Sequence, residues 1–189
     1  MTLKNPWQRR GSKLVYSNPW ITVREDDVIT PGGKPGIYGV VETRIATGVV
    51  ALTEQNEIYL VGQYRYPVDE YSWEIPEGGS ELDEDPMVTA KRELREETGI
   101  EAESWEQLGG EVHLSNCFSS ERGVLYLARG LRHGAAEPDH TEQLQVKKTP
   151  FAECLAMVDR GEIKDSLTII AVLRMARQLS LREMGLSGT

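Results

Sequence analysis

Apolar and polar positions along the chain follow two periods. Over the first third, β-branched and aromatic residues recur in short runs broken by Asn, Pro and Gly, which predicts strands. Runs at 13–17 and 20–29 are separated by Asn18 and Pro19, and Thr30-Pro31-Gly32-Gly33-Lys34 predicts a turn before a strand at 37–42. Residues 48–53 and 58–64 read as the two arms of a hairpin. Residues 73–76 read as a short strand that Pro76 ends, and 77–84 as a loop. The period then changes. Asp85 is placed to cap a helix, Pro86 suits its first position, and Gly99 suits its left-handed end. Within it Met87, Ala90 and Leu94 form an apolar stripe at helical spacing.

Beyond that helix the pattern predicts strands near 105–114 and 123–129, with a loop at 115–121 between them. A polar loop at 134–142 precedes a strand at 144–148. Two helices close the chain, near 151–159 and 166–179, the second capped by Asp165. Strands and helices are mixed, which places the chain in the α/β or α+β class.

Composition narrows this picture. At 189 residues, 39% apolar and 27% charged, the chain fits a globular protein with one full core. No apolar run reaches a membrane span, and the charged start MTLKNPWQRR lacks the apolar stretch of a secretory signal. Cys117 and Cys154 lie far apart without metal-ligand spacing, so they are expected as reduced thiols of a cytoplasmic protein. A net charge of −9 argues against a nucleic-acid partner, which requires cationic side chains to neutralise phosphates. A small anionic ligand would need local help from metal ions or a few arginines.

The sequence RELREETGI at 92–100 puts that help in view. Each helical residue turns by about 100°, so Glu97 lies about 40° to one side of Glu93 and Glu96 about 60° to the other. The three carboxylates therefore share one face and repel. Such a face is commonly just solvated, and Arg92 offers an ordinary pair to Glu96. Yet Arg92 can serve only part of the cluster, and the acidic edge borders the buried stripe. Crowded, shielded carboxylates raise a pKa or bind a cation, and oxygen ligands suit Mg²⁺.

Gly78, Glu84, Arg92, Glu93, Leu94, Glu96, Glu97, Gly99 and Ile100 together resemble the Nudix box in full, and the resemblance extends to most of the chain. It implies a Nudix-type α/β/α sandwich with a mixed sheet. It also implies a strand-rich dimerisation segment at 1–45 ahead of a Nudix hydrolase domain at 46–189. On physical grounds Gly78 is expected to permit a sharp turn, Arg92 to hold a carboxylate, and Leu94 and Ile100 to anchor the helix. By the resemblance Glu93, Glu96 and Glu97 are metal ligands, joined by the backbone carbonyl of Glu77, while Glu84 is structural. Mg²⁺ is the implied cofactor, with Mn²⁺ as a substitute.

The flanks resemble the branch that hydrolyses ADP-ribose and other nucleoside diphosphate sugars. They are Tyr64-Arg65-Tyr66-Pro67, Trp73 to Gly79, and Gly161 to Ser166. The branch implies a homodimer. Trp20 or Tyr38 would stack on a base, or simply pack in a core or interface. Arg65 is the candidate phosphate contact, or a surface ion pair. Glu74 would reach a metal or the sugar, or close a network. Glu121 falls where the branch has a substrate-binding loop, but without the usual Pro-Gly, which keeps GDP-mannose open beside ADP-ribose. A late acid is also implied, and Glu142 matches it, with His140 where a companion acid is common. Glu142, a box glutamate or His140 then takes the proton from a water that attacks one phosphorus. Two alternatives remain: a Nudix hydrolase of another nucleotide class (dinucleoside polyphosphates, oxidised nucleotides, coenzyme A), and a non-catalytic ADP-ribose sensor.

Overall fold

A computed structural model describes residues 4–134 and 144–184. The chain divides into two compact units, one of Met1–Arg44 with His113–Arg122, the other of Ile45–Val112 with Gly123–Thr189. The first unit is an antiparallel meander of β1 (Gln8–Ser17), β2 (Thr22–Ile29) and β3 (Pro35–Glu42). Asn18 builds the first bend by accepting hydrogen bonds from the Trp20 and Ile21 amides at 2.9 and 2.8 Å. Gly33, at φ 79°, takes the left-handed position of the second turn. Residues 115–121 lie against β3. The Val41 amide donates to the Phe118 carbonyl at 2.8 Å and the Ser120 amide to the Val41 carbonyl at 2.9 Å. Every residue of β1 is exposed.

Among the described residues the second unit holds two sheets and three helices. Its strands are β4 (Ile45–Ala51), β5 (Glu57–Arg65), β6 (Glu70–Glu74), β7 (Glu77–Gly79), β8 (Ile100–Gln107), β9 (Val112–His113), β10 (Arg122–His133) and β11 (Gln145–Pro150). The helices are α1 (Pro86–Thr98), α2 (Phe151–Asp159) and α3 (Ser166–Glu183). One sheet runs β7-β4-β10-β8 with β9 beside β10, and the other runs β11-β5-β6. Both α1 and α3 pack on β4. Val49 to Leu52 are accordingly at most 1% exposed whichever way they point, and this end of β4 reads as an apolar run. On the α1 side Val49 and Ala51 meet Ala90, Leu94, Ile100, Val124, Tyr126 and Ala128. Toward α3 lies a layer that includes buried Leu167, Ala171, Val172 and Met175.

Three expectations change. Residues 48–53 and 58–64 do form strands, but not a hairpin. They share one bridge, Leu52 with Ile58, and then enter different sheets, because both hydrogen-bonding edges of β4 are taken by β7 and β10. Residues 77–79, expected in a loop, form β7 and pair with Ala46, Thr47 and Gly48. The strand expected at 105–114 instead begins at Ile100, directly after the α1 cap, and ends before the Gly109 turn at φ 79°. The helices fall where patterning puts them, with α3 four residues longer than expected. Among the described residues no helix is long and apolar enough to cross a membrane.

Leu94 is fully buried at the centre of the α1 seam. Leu94→Ala is expected to lower stability by about 3 kcal/mol through lost burial and the cavity left behind. Urea unfolding of the two proteins measures it through the midpoint at constant m-value.

Candidate active site

The geometry of α1 begins at its cap. Asp85 has extended backbone and accepts from the Met87 amide at 2.8 Å, and Gly99 closes the helix at φ 69°. With the apolar stripe turned to β4, the acidic edge is carried to the border of the core. Glu97 is only 2% exposed, and its carboxylate accepts the backbone amide of Glu77 at 3.0 Å. Glu93 and Glu96 turn to Arg92, whose guanidinium reaches them at 2.7 and 3.1 Å. The same guanidinium donates to the Gly79 carbonyl at 3.2 Å and to Glu84 at 3.3 Å. One arginine thus ties the helix to the segment that precedes it.

Gly78 has a different purpose from the expected sharp turn. It sits in β7, and its φ is not in the left-handed region. The Glu93 carboxyl lies directly over it, so that a Cβ at residue 78 would fall 2.2 Å from Glu93 Cδ. The missing side chain makes the cradle in which the carboxylate rests. Glu84 is a structural partner. It accepts from the Glu81 amide and the Thr89 hydroxyl at 2.8 and 2.9 Å, and with Arg92 these bonds lower its pKa to about 2. The buried Thr89 hydroxyl also meets Ser80 at 2.9 Å, a link the sequence reading missed.

The chain passes from one sheet to the other through Ile75 and Pro76, between β6 and β7. Charge concentrates at this crossing. Carboxylate oxygens of Glu74, Glu77 and Asp165 lie within 4.8 Å of one another. Arg65 answers part of that charge, with Nε 2.9 Å from Glu74, a second contact to Glu74 through Nη2, and Nη2 2.9 Å from Glu77. Burial foremost, then Asp165 and Glu74, push the Glu77 carboxyl well above the usual carboxylate value against the pull of Arg65. Burial opposes the Arg65 charge, but the Glu74 hydrogen bond and the neighbouring carboxylates raise its pKa overall. The sequence pointed to Asp165 only as a cap, which it also is, accepting the Thr168 amide at 2.7 Å.

The second unit therefore gathers two bonded groups on adjoining segments, Arg65 with Glu74, Glu77 and Glu97, and Arg92 with Glu93 and Glu96. Its donor set fits a hard divalent cation: the candidate ligands are oxygens, Glu97 is buried, and the Gly78 cradle fixes Glu93. Trp20 and Glu121 belong to the first unit. Trp20 is 72% exposed, whereas Tyr38 is used in packing, edge-on to Trp7 with its hydroxyl on the Cys117 carbonyl at 2.5 Å. Glu142 and His140 lie outside the described residues.

A family model described as the NUDIX domain matches residues 42–167, and one described as the nucleoside diphosphate sugar hydrolase N-terminal domain matches 7–41. The chain is 37% identical to the ADP-ribose pyrophosphatase of Mycobacterium tuberculosis, over 86% of this chain and 80% of that one. To the ADP-ribose pyrophosphatase of Bacillus subtilis it is 31% identical, over 86% and 88%. A methanol dehydrogenase activator of Bacillus methanolicus is 37% identical over 90% and 93%. A solved structure titled as an ADP compounds hydrolase shares the fold at TM-score 0.83 and 19% identity, covering 98% of this chain and 99% of that one.

The Glu84 network makes a pH prediction. Its folded pKa of about 2 lies below the ordinary 4.5, so its contribution is complete above pH 4.5 and fades as pH falls toward 2. Glu84→Gln is expected to cost about 2 kcal/mol at neutral pH, as for a charge-assisted hydrogen bond. The melting-temperature gap between variant and parent should narrow steadily below pH 4.5.

Proposed function

The chain belongs to the Nudix hydrolase family, and we propose that it hydrolyses the diphosphate of ADP-ribose or a related nucleoside diphosphate sugar with Mg²⁺. The observation that carries this reading is the arrangement of Glu93, Glu96 and Glu97 on one edge of α1, two of them held by Arg92 and the third by the Glu77 amide. Mg²⁺, or Mn²⁺ in its place, would supply positive charge to offset that of the diphosphate. The residues that would hold it are Glu93, Glu96, Glu97 and the Glu77 carbonyl, with Glu142 as a further ligand. Glu142 or a box glutamate takes the proton from the attacking water. Arg92 keeps the glutamates from splaying apart.

Arg65 is the phosphate contact in this reading. Glu74 and Glu77 hold its Nε and Nη2, and its side chain remains 37% exposed. Glu74 orients Arg65, while Trp20 and Glu121 serve base and sugar. ADP-ribose gives AMP and ribose 5-phosphate, the reaction that the names of the mycobacterial and Bacillus subtilis relatives suggest.

The segment 1–45 forms a homodimer interface in this proposal. Its support is the full exposure of β1, together with exposed Leu14, Val15, Tyr16, Trp20 and Ile37 on the same unit. Two free cysteines agree with a reducing, cytoplasmic setting.

Turnover of ADP-ribose, GDP-mannose and a UDP-sugar with Mg²⁺, with products identified, tests the chemistry. Activity should vanish in excess EDTA, and Glu97→Gln should lower kcat at least about 100-fold. Undiminished cleavage in EDTA would falsify the metal reading. Light scattering on a sizing column should give the mass of two chains, and Leu14→Glu should shift it toward one. A parent protein that elutes as a single chain would rule out the dimer.

A further inference from the structure

The motif ahead of the last helix has a use that capping alone does not explain. Thr168 is fully buried in the first turn of α3, and its hydroxyl accepts the Ile75 amide at 3.0 Å. Ile75 is itself fully buried and begins the two-residue crossing from β6 to β7. The next residue, Pro76, has no amide to donate, but its carbonyl accepts the Val49 amide at 2.8 Å. The residue after that, Glu77, donates its amide to the Glu97 carboxylate at 3.0 Å. Three successive residues are thus fixed from three directions, by α3, β4 and α1. Asp165 holds the near end of α3 by accepting the Thr168 amide, and brings a carboxylate beside Glu74 and Glu77.

We propose that Thr168 is a positioning residue for the metal end of α1. Through Ile75 it fixes the Glu77 peptide, and through that peptide the orientation of the Glu97 carboxylate. The proposal rests on reading the α1 glutamates as the metal site. Removing the hydroxyl leaves a buried amide without its acceptor. The crossing has no slack to absorb the change, because Pro76 fixes φ and Val49 holds the next carbonyl. Small displacements of such supporting groups weaken metal binding without touching a ligand.

The test is direct Mn²⁺ binding by the full chain without substrate, followed by calorimetry, for the parent, Thr168→Val and Thr168→Ser. Thr168→Val keeps the shape and removes the acceptor, while Thr168→Ser keeps the acceptor. Thr168→Val is expected to weaken Mn²⁺ binding about fivefold or more. With Mg²⁺ saturating, it should lower kcat more than it changes KM. Thr168→Ser should stay within about twofold of the parent. If Thr168→Val does not fold, Thr168→Ala takes its place under the same criterion. A lower melting temperature with unchanged Mn²⁺ binding assigns Thr168 to folding alone and overturns the proposal, as does a Ser variant as weak as Val. A parent that binds no Mn²⁺ instead overturns the metal-site reading.

Discussion

Mutual repulsion among carboxylates is the constraint around which the second unit is arranged. Glu93, Glu96 and Glu97 share an edge of α1, and Glu74, Glu77 and Asp165 converge close by. Arg92 and Arg65 answer them most closely, with Arg95 3.9 Å from Glu96. Arg92 joins Glu84, Glu93 and Glu96 to the Gly79 carbonyl, and Arg65 joins Glu74 to Glu77. Neither guanidinium neutralises its cluster: Arg92 faces three carboxylates, and Arg65 stands among Glu74, Glu77 and Asp165. The clusters thus keep residual negative charge in a chain that already carries −9, and such a place suits a divalent cation.

Holding those charges in place demands a rigid frame, and the frame is built from packing. β4 is enclosed between α1 and α3, so neither helix can shift without opening a dry seam. The crossing at Ile75 and Pro76 then links the sheets at the point where the carboxylates gather. Each of its polar backbone groups that has a partner finds it on a different element: Thr168 of α3, Val49 of β4, Glu97 of α1. The acidic cluster and the fold share one set of hydrogen bonds here. Gly78 adds a steric condition, since any side chain there would occupy the place of the Glu93 carboxyl.

Much of α1 was legible because its signals are local. Asp85, Pro86 and Gly99 mark its ends through backbone chemistry, and the Met87, Ala90 and Leu94 stripe marks its inner face. The shared edge of the glutamates follows from helical geometry alone. The same held for α2 and for the start of α3 at Asp165. The hairpin expected from 48–64 failed for a nonlocal reason. Adjacent apolar runs look like partners, but strand pairing is decided by which strands fill each edge, and β7 and β10 fill both edges of β4.

Residue identity and spacing alone thus determined the acidic helix, its caps, its buried stripe and the box that carries the chemistry. These depend on contacts within a few turns of chain. The tertiary structure alone decided that β4 and β5 part into separate sheets and that Arg65 is held by Glu74 and Glu77. It also decided that Asp165 joins the carboxylates and that Thr168 reaches Ile75 across 93 residues of sequence. Those contacts come from how sheets and helices stack, and stacking is set by the burial of all the faces at once, which no local pattern encodes.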